Sequence, residues 1–90
     1  MLLALDIGNT NITLGVWDGR SWQHQWRLLT NPAQTADEYG IVLKALLRDV
    51  GLLTAVEQAV MASVVPALSL TFSQICQDQL NVPLLVVNSN

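Results

Sequence analysis

From Leu2 to Val16 an apolar run stops on a carboxylate, passes through small polar residues and resumes as alternation, an order that few folds accommodate. Leu2, Leu3, Ala4 and Leu5 predict a strand covered on both faces. Ile12, Leu14 and Val16 alternate with Asn11, Thr13 and Gly15, the period of a second strand. Asp6 therefore falls at a strand's carboxyl end, the edge where α/β sheets bind ligands. Gly8-Asn9 suits a tight turn with positive φ, and such a turn leaves backbone N–H groups free to face an anion.

These residue types match a phosphate and its metal. The Asp6 carboxylate can hold Mg²⁺ directly or through water, while the amides of Gly8, Asn9 and Thr10 and the Thr10 hydroxyl take the phosphate oxygens that the metal bridges. This would be a nucleoside triphosphate grip of neither the G-x-x-x-x-G-K-[ST] nor the G-x-G-x-x-G type, since the chain contains neither pattern. The alternative for D-x-G-N-T taken alone is a plain hairpin.

Asp18-Gly19, between Val16-Trp17 and Ser21-Trp22, predicts a second hairpin and a third, antiparallel strand. Trp22, His24, Trp26 and Leu28 would share one face of that strand and Gln23, Gln25 and Arg27 the other. At least two of Trp17, Trp22 and Trp26 are expected in the core, the alternative being an outer patch used in association. His24 has no evident partner for acid or base chemistry and reads as a half-buried or exposed strand residue.

Thr35-Ala36-Asp37-Glu38 is a capping box that opens a helix, and Tyr39, Val42, Leu43, Leu46, Leu47 and Val50 recur at helical spacing until Gly51 ends it. Asp37 and Glu38 could be a paired acid and base, but acids in a first helical turn are an ordinary complement to its dipole. Val56 to Val65 predicts a strand reached by a parallel crossover, with Ala62-Ser63-Val64-Val65-Pro66 ending at the same sheet edge as Asp6. Small residues there would admit a nucleotide, or merely precede a helix begun by Pro66. Leu68, Phe72, Ile75 and Cys76 give a second helix to about Leu80, Asn81 ends it, and Pro83 to Val87 is a short buried strand. The order βββαβαβ with two right-handed crossovers is a ribonuclease-H-like α/β layout, strand order 3-2-1-4-5, in a single domain over residues 1–90. A Rossmann-type unit is the alternative, against which the Asp18-Gly19 hairpin argues.

Composition excludes other classes. Hydrophobic residues make up 51% of the chain and charged ones 12%, so some apolar surface is expected to meet a partner or a further domain. Net charge is −3, and Arg20, Arg27, Lys44 and Arg48 form no basic cluster of the kind nucleic-acid binding needs. Cys76 stands alone and reads as a buried thiol, neither disulfide nor zinc ligand. The apolar run that ends at Asp6 is too short for a signal sequence or a membrane span, and a cytoplasmic setting is expected.

L-A-L-D-I-G-N-T-N at Leu3–Asn11, W-R-L-L-T at Trp26–Thr30, T-A-D-E-Y at Thr35–Tyr39 and A-S-V-V-P at Ala62–Pro66 together resemble the amino-terminal part of type III pantothenate kinases. That family belongs to the acetate/sugar kinase, heat-shock protein and actin superfamily, in which two ribonuclease-H-like domains face each other across an ATP cleft. The resemblance implies ATP and Mg²⁺ binding through Asp6, with Gly8, Asn9, Thr10, Asn11 and Thr13 around the phosphates. At Thr13 many members carry Lys or another residue. It also implies a homodimer, a monovalent cation (K⁺ or NH₄⁺), and transfer of phosphate from ATP to pantothenate, the first committed step to coenzyme A.

The family's acceptor grip and catalytic carboxylate lie in a G-x-D-R block, and residues 1–90 contain none. The expectation is therefore an ATP-phosphate-binding portion, inactive alone and lacking a second domain. The alternatives are a non-catalytic module of the same fold, or another kinase of the superfamily.

Overall fold

The computed structural model describes residues 1–87, so the expected domain end at Asn90 lies outside the described residues. Strands β1 (Leu2–Ile7), β2 (Asn11–Trp17) and β3 (Trp22–Leu29) form an antiparallel meander. Helix α1 (Ala36–Asp49) leads to β4 (Gln58–Ser63), which pairs parallel with β1. Helix α2 (Pro66–Gln74) continues as a π-helical segment (Ile75–Leu80) before β5 (Leu84–Val87), parallel to β4. The sheet order is β3-β2-β1-β4-β5. This is the ribonuclease-H-like layout, with β1 at the centre.

One face of the sheet carries the core. Leu3, Leu5 and Ile7 of β1 and Ile12, Leu14 and Val16 of β2 are buried against Tyr39, Leu43 and Leu47 of α1 and Leu68, Phe72, Ile75 and Cys76 beyond β4. The Tyr39 and Phe72 rings lie 5.1 Å apart where the two helices meet. The capping box forms as the sequence predicts: Thr35 Oγ1 accepts from Glu38 N at 3.2 Å, and the Glu38 carboxylate accepts from Thr35 N at 3.0 Å. Gly51, with φ +74°, turns the chain after α1, and its N–H donates to Arg48 O.

The opposite face has no helical layer among the described residues, and this corrects several expectations. β1 is not covered on both sides: Leu2 and Ala4 are half-buried and Asp6 is exposed. β5 is not a buried strand either, because Leu85 and Val87 fall on the open face and Val86, on an edge strand, is itself exposed. None of the three Trp residues is fully buried.

Trp22 also changes face. A bulge between Val16 and Trp17 pairs Trp17 with Trp22 directly, which carries Trp22 to the Gly15 and Gln25 side, away from Trp26 and Leu28. There its ring lies over Gly15 and meets Trp17 edge-on at 5.1 Å. The Asp18 carboxylate accepts from the amides of Ser21 and Arg20, which closes the hairpin and holds that carboxyl below its ordinary range.

β4 is shorter than the predicted strand, since Val56 and Val65 are buried without joining the ladder. The second helix ends at Leu80 as expected, with Asn81 left-handed at φ 57°, but its last six residues are wound as π-helix. The π turn brings the Gln79 side chain to α1, where Nε2 donates to Ala36 O at 3.0 Å through space that Gly40 leaves open. Cys76 is buried here, and burial pushes its thiol up to about 11.

Candidate phosphate-binding site

The turn between β1 and β2 stands at the carboxyl edge of the central strand. Asp6 is inside β1, one residue before its end, with Thr13 of β2 and Ala62 of β4 as register partners. The Asp6 and Thr13 side chains therefore project together on the open face, and Ala62 leaves room beside them. Both are exposed, and Asp6 makes no hydrogen bond or ion pair among the described residues. A shallow cavity of about 190 Å³ runs back from Asp6 and Thr13 along Ala4 and Gly15 to Trp22 and Gln25.

The turn is built differently from the sequence expectation. Neither Gly8 nor Asn9 has positive φ. The Gly8 amide is not free for an anion, because it donates to Asn11 O at 2.9 Å and closes the turn. Glycine at position 8 instead avoids a tight contact, since a Cβ there would meet Asn11 O at 3.1 Å. Of the three amides expected to face a ligand, those of Asn9 and Thr10 have no partner among the described residues. Asn11 contributes the carbonyl that closes the turn, and its side chain is half-buried.

A residue to which the sequence assigned no role at the site holds this turn from the end of β3, and Tyr39 of α1 supports it. Thr30 Oγ1 donates to Gly8 O at 2.7 Å, and Thr30 N donates to Thr10 O at 3.0 Å. The buried Tyr39 hydroxyl donates to Leu29 O and accepts from Asn31 N, both at 2.9 Å, bracketing Thr30 from α1. Thr30 closes the W-R-L-L-T block, but its hydroxyl's partner lies 22 residues away and nothing local signals it.

At the neighbouring strand end, Val64 N donates to Ile7 O, which puts the A-S-V-V-P block beside the turn. Ser63 Oγ accepts from Val65 N at 3.1 Å and from Ser69 Oγ at 2.8 Å, so this corner is internally bonded. Asp37 and Glu38 belong to the helix on the face opposite Asp6, and the Thr35 amide and hydroxyl hold the Glu38 carboxyl below its ordinary value. His24 is exposed and stacks on Trp26 at 5.6 Å, with no carboxylate partner among the described residues.

The profile of the type III pantothenate kinase family matches residues 2–90. The chain belongs to that family. Relatives named type III pantothenate kinase include one from Anaeromyxobacter sp. (strain K), 52% identical over 77 residues, covering 84% of this chain and 30% of the relative. One from Gluconobacter oxydans is 44% identical over 90 residues, covering 99% of this chain and 33% of the relative. The chain thus spans about a third of the length of the type III pantothenate kinases it matches.

Among solved structures, Thermus thermophilus RuvC superposes with a TM-score of 0.61 at 18% identity, covering 94% of this chain and 59% of RuvC. An Aquifex aeolicus PPX-GPPA enzyme superposes with a TM-score of 0.51 at 16% identity, covering 96% of this chain and 35% of that enzyme. At such identities the likeness is one of fold.

Proposed function

We propose that this chain is the ATP-phosphate-binding portion of a pantothenate kinase, the enzyme that forms 4′-phosphopantothenate and ADP. The observation that carries the reading is the Asp6 carboxylate on the open face, without a partner among the described residues, beside a turn whose Asn9 and Thr10 amides are likewise unengaged among them, in a chain of this family. Asp6 would hold Mg²⁺, whose charge would offset that of the phosphates; no group of three metal-binding side chains occurs among the described residues. The Asn9 and Thr10 amides take the phosphate oxygens, and the hydroxyls of Thr10 and Thr13 stand within the same neighbourhood. Gly8 and Asn11 act by closing the turn. Acceptor binding and in-line transfer come from elsewhere in the enzyme, as does any monovalent cation.

Calorimetry with Mg-ATP on the protein and on Asp6→Asn tests this. Weak binding that the substitution abolishes is expected, and equal affinities would remove Asp6 from the site. Supply of the missing acceptor by a second domain, and assembly as a cytoplasmic homodimer, belong to the same reading. No helix among the described residues is long and apolar enough to cross a membrane.

A further inference from the structure

We infer that Thr30 is the positioning residue of the phosphate turn, setting the direction of the Asn9 amide through the Gly8 carbonyl. The inference rests on the phosphate reading above. The Gly8 carbonyl and the Asn9 N–H belong to one planar trans peptide, so the two bonds point in opposite directions, and whatever fixes one fixes the other. Thr30 Oγ1 holds that carbonyl at 2.7 Å from the β3 side. The Asn9 N–H is thereby turned away from Thr30, with no acceptor among the described residues. The Thr30 amide holds Thr10 O at 3.0 Å, and Gly8 N holds Asn11 O at 2.9 Å, so the turn is tied at both ends while the amides between remain free.

Thr30 is itself immobilised. The Tyr39 hydroxyl bonds the backbone on both sides of it, at Leu29 O and Asn31 N, and the Tyr39 ring is packed on Phe72 in the core. A hydroxyl so anchored turns a flexible loop donor into one already aimed before a ligand arrives. Such preorganisation increases affinity without adding a contact.

Thr30→Val is the discriminating change, since it keeps the shape and the backbone bond to Thr10 O but removes the hydroxyl donor. Thr30→Ser restores the donor. Mg-ATP affinity is expected to fall about three- to tenfold in Thr30→Val, the equivalent of one hydrogen bond, and to return in Thr30→Ser. In the free protein the Asn9 amide resonance is expected to move in the Val variant and stay in the Ser variant, which a general loss of stability would not produce. Unchanged affinity and an unchanged Asn9 resonance in Thr30→Val overturn the inference and leave the phosphate reading standing. A wild-type protein that binds no Mg-ATP removes the phosphate reading, and this inference with it. Should Thr30→Val fail to fold, the unsubstituted protein decides: a Thr30 hydroxyl proton protected from exchange with water supports the assignment, and one that exchanges freely overturns it.

Discussion

Glycine in a helix interior ordinarily costs stability, so Gly40→Ala in α1 would by propensity alone stabilise the protein by about 1 kcal/mol. Here that gain should be cancelled. A Cβ at position 40 would lie 2.5 Å from Cδ and Nε2 of Gln79, the side chain that the π turn sends across to Ala36 O. Gln79 is half-buried and its amide is the free end of a flexible side chain, so it would swing away and lose a hydrogen bond worth about 1 kcal/mol. Set against the propensity gain, the net is close to zero, and the melting midpoint should stay within about 4 °C of the unsubstituted protein's.

Thermal and urea denaturation followed by circular dichroism measures the change, and a double-mutant cycle isolates its cause. In a Gln79→Ala background the obstruction is gone, so Gly40→Ala should there stabilise by about 1 kcal/mol, giving a coupling of about 1 kcal/mol. If Gly40→Ala raises the midpoint as much with Gln79 intact, the side chain does not occupy the space above Gly40. The account of the π segment then fails.

The remaining expectations concern pH, association and catalysis. The Glu38 carboxyl titrates below its ordinary 4.5 in the folded state, so the stability it confers is full above that value and is lost as pH falls through the lowered one. The difference in melting temperature between the protein and Glu38→Gln should thus be flat near neutrality and shrink below 4.5, and a difference that grows on acidification would contradict the capping geometry. The open face presents Trp22, Leu85 and Val87, 47%, 66% and 47% exposed, and the protein should self-associate; a sedimentation mass independent of concentration would count against this, as would an unchanged profile in Leu85→Lys. The chain alone should make no phosphopantothenate from ATP and pantothenate, because its other described acids lie away from the Asp6 face, and turnover on the order of 1 per second or more would show that a catalytic carboxylate is present.

The fold was legible because its determinants are local. The alternation from Ile12 to Val16, the Asp18-Gly19 corner and the Thr35 to Glu38 box each act within a few residues, and each appears where the sequence placed it. Three apolar assignments failed for one shared reason. Leu2 to Leu5, Leu85 to Val87 and the Trp residues are hydrophobic enough for a covered sheet, yet periodicity reports that a face is apolar, not whether this stretch of chain supplies the cover. The bulge at Val16 that transfers Trp22 to the other face depends on cross-strand register, and the π winding after Ile75 depends on what Gln79 reaches. Neither has a local sequence signal.

The candidate site divides along the same line. Residue type marks Asp6, and strand period puts Thr13 opposite it once the hairpin register is known. What residue type cannot reveal is which donors are already spent. Gly8 looks like an anion-facing amide, but its N–H closes the turn on Asn11, and the glycine spares that carbonyl a tight contact. Thr30 looks like a strand-ending polar residue, but its hydroxyl and amide bond the two carbonyls of the turn. Each bond removes one apparent ligand donor or orients another. On the proposed reading, the amides left to meet a phosphate therefore narrow from a consecutive run to those of Asn9 and Thr10, and what holds that pair lies at the end of β3 and in α1 rather than in the turn's own residues.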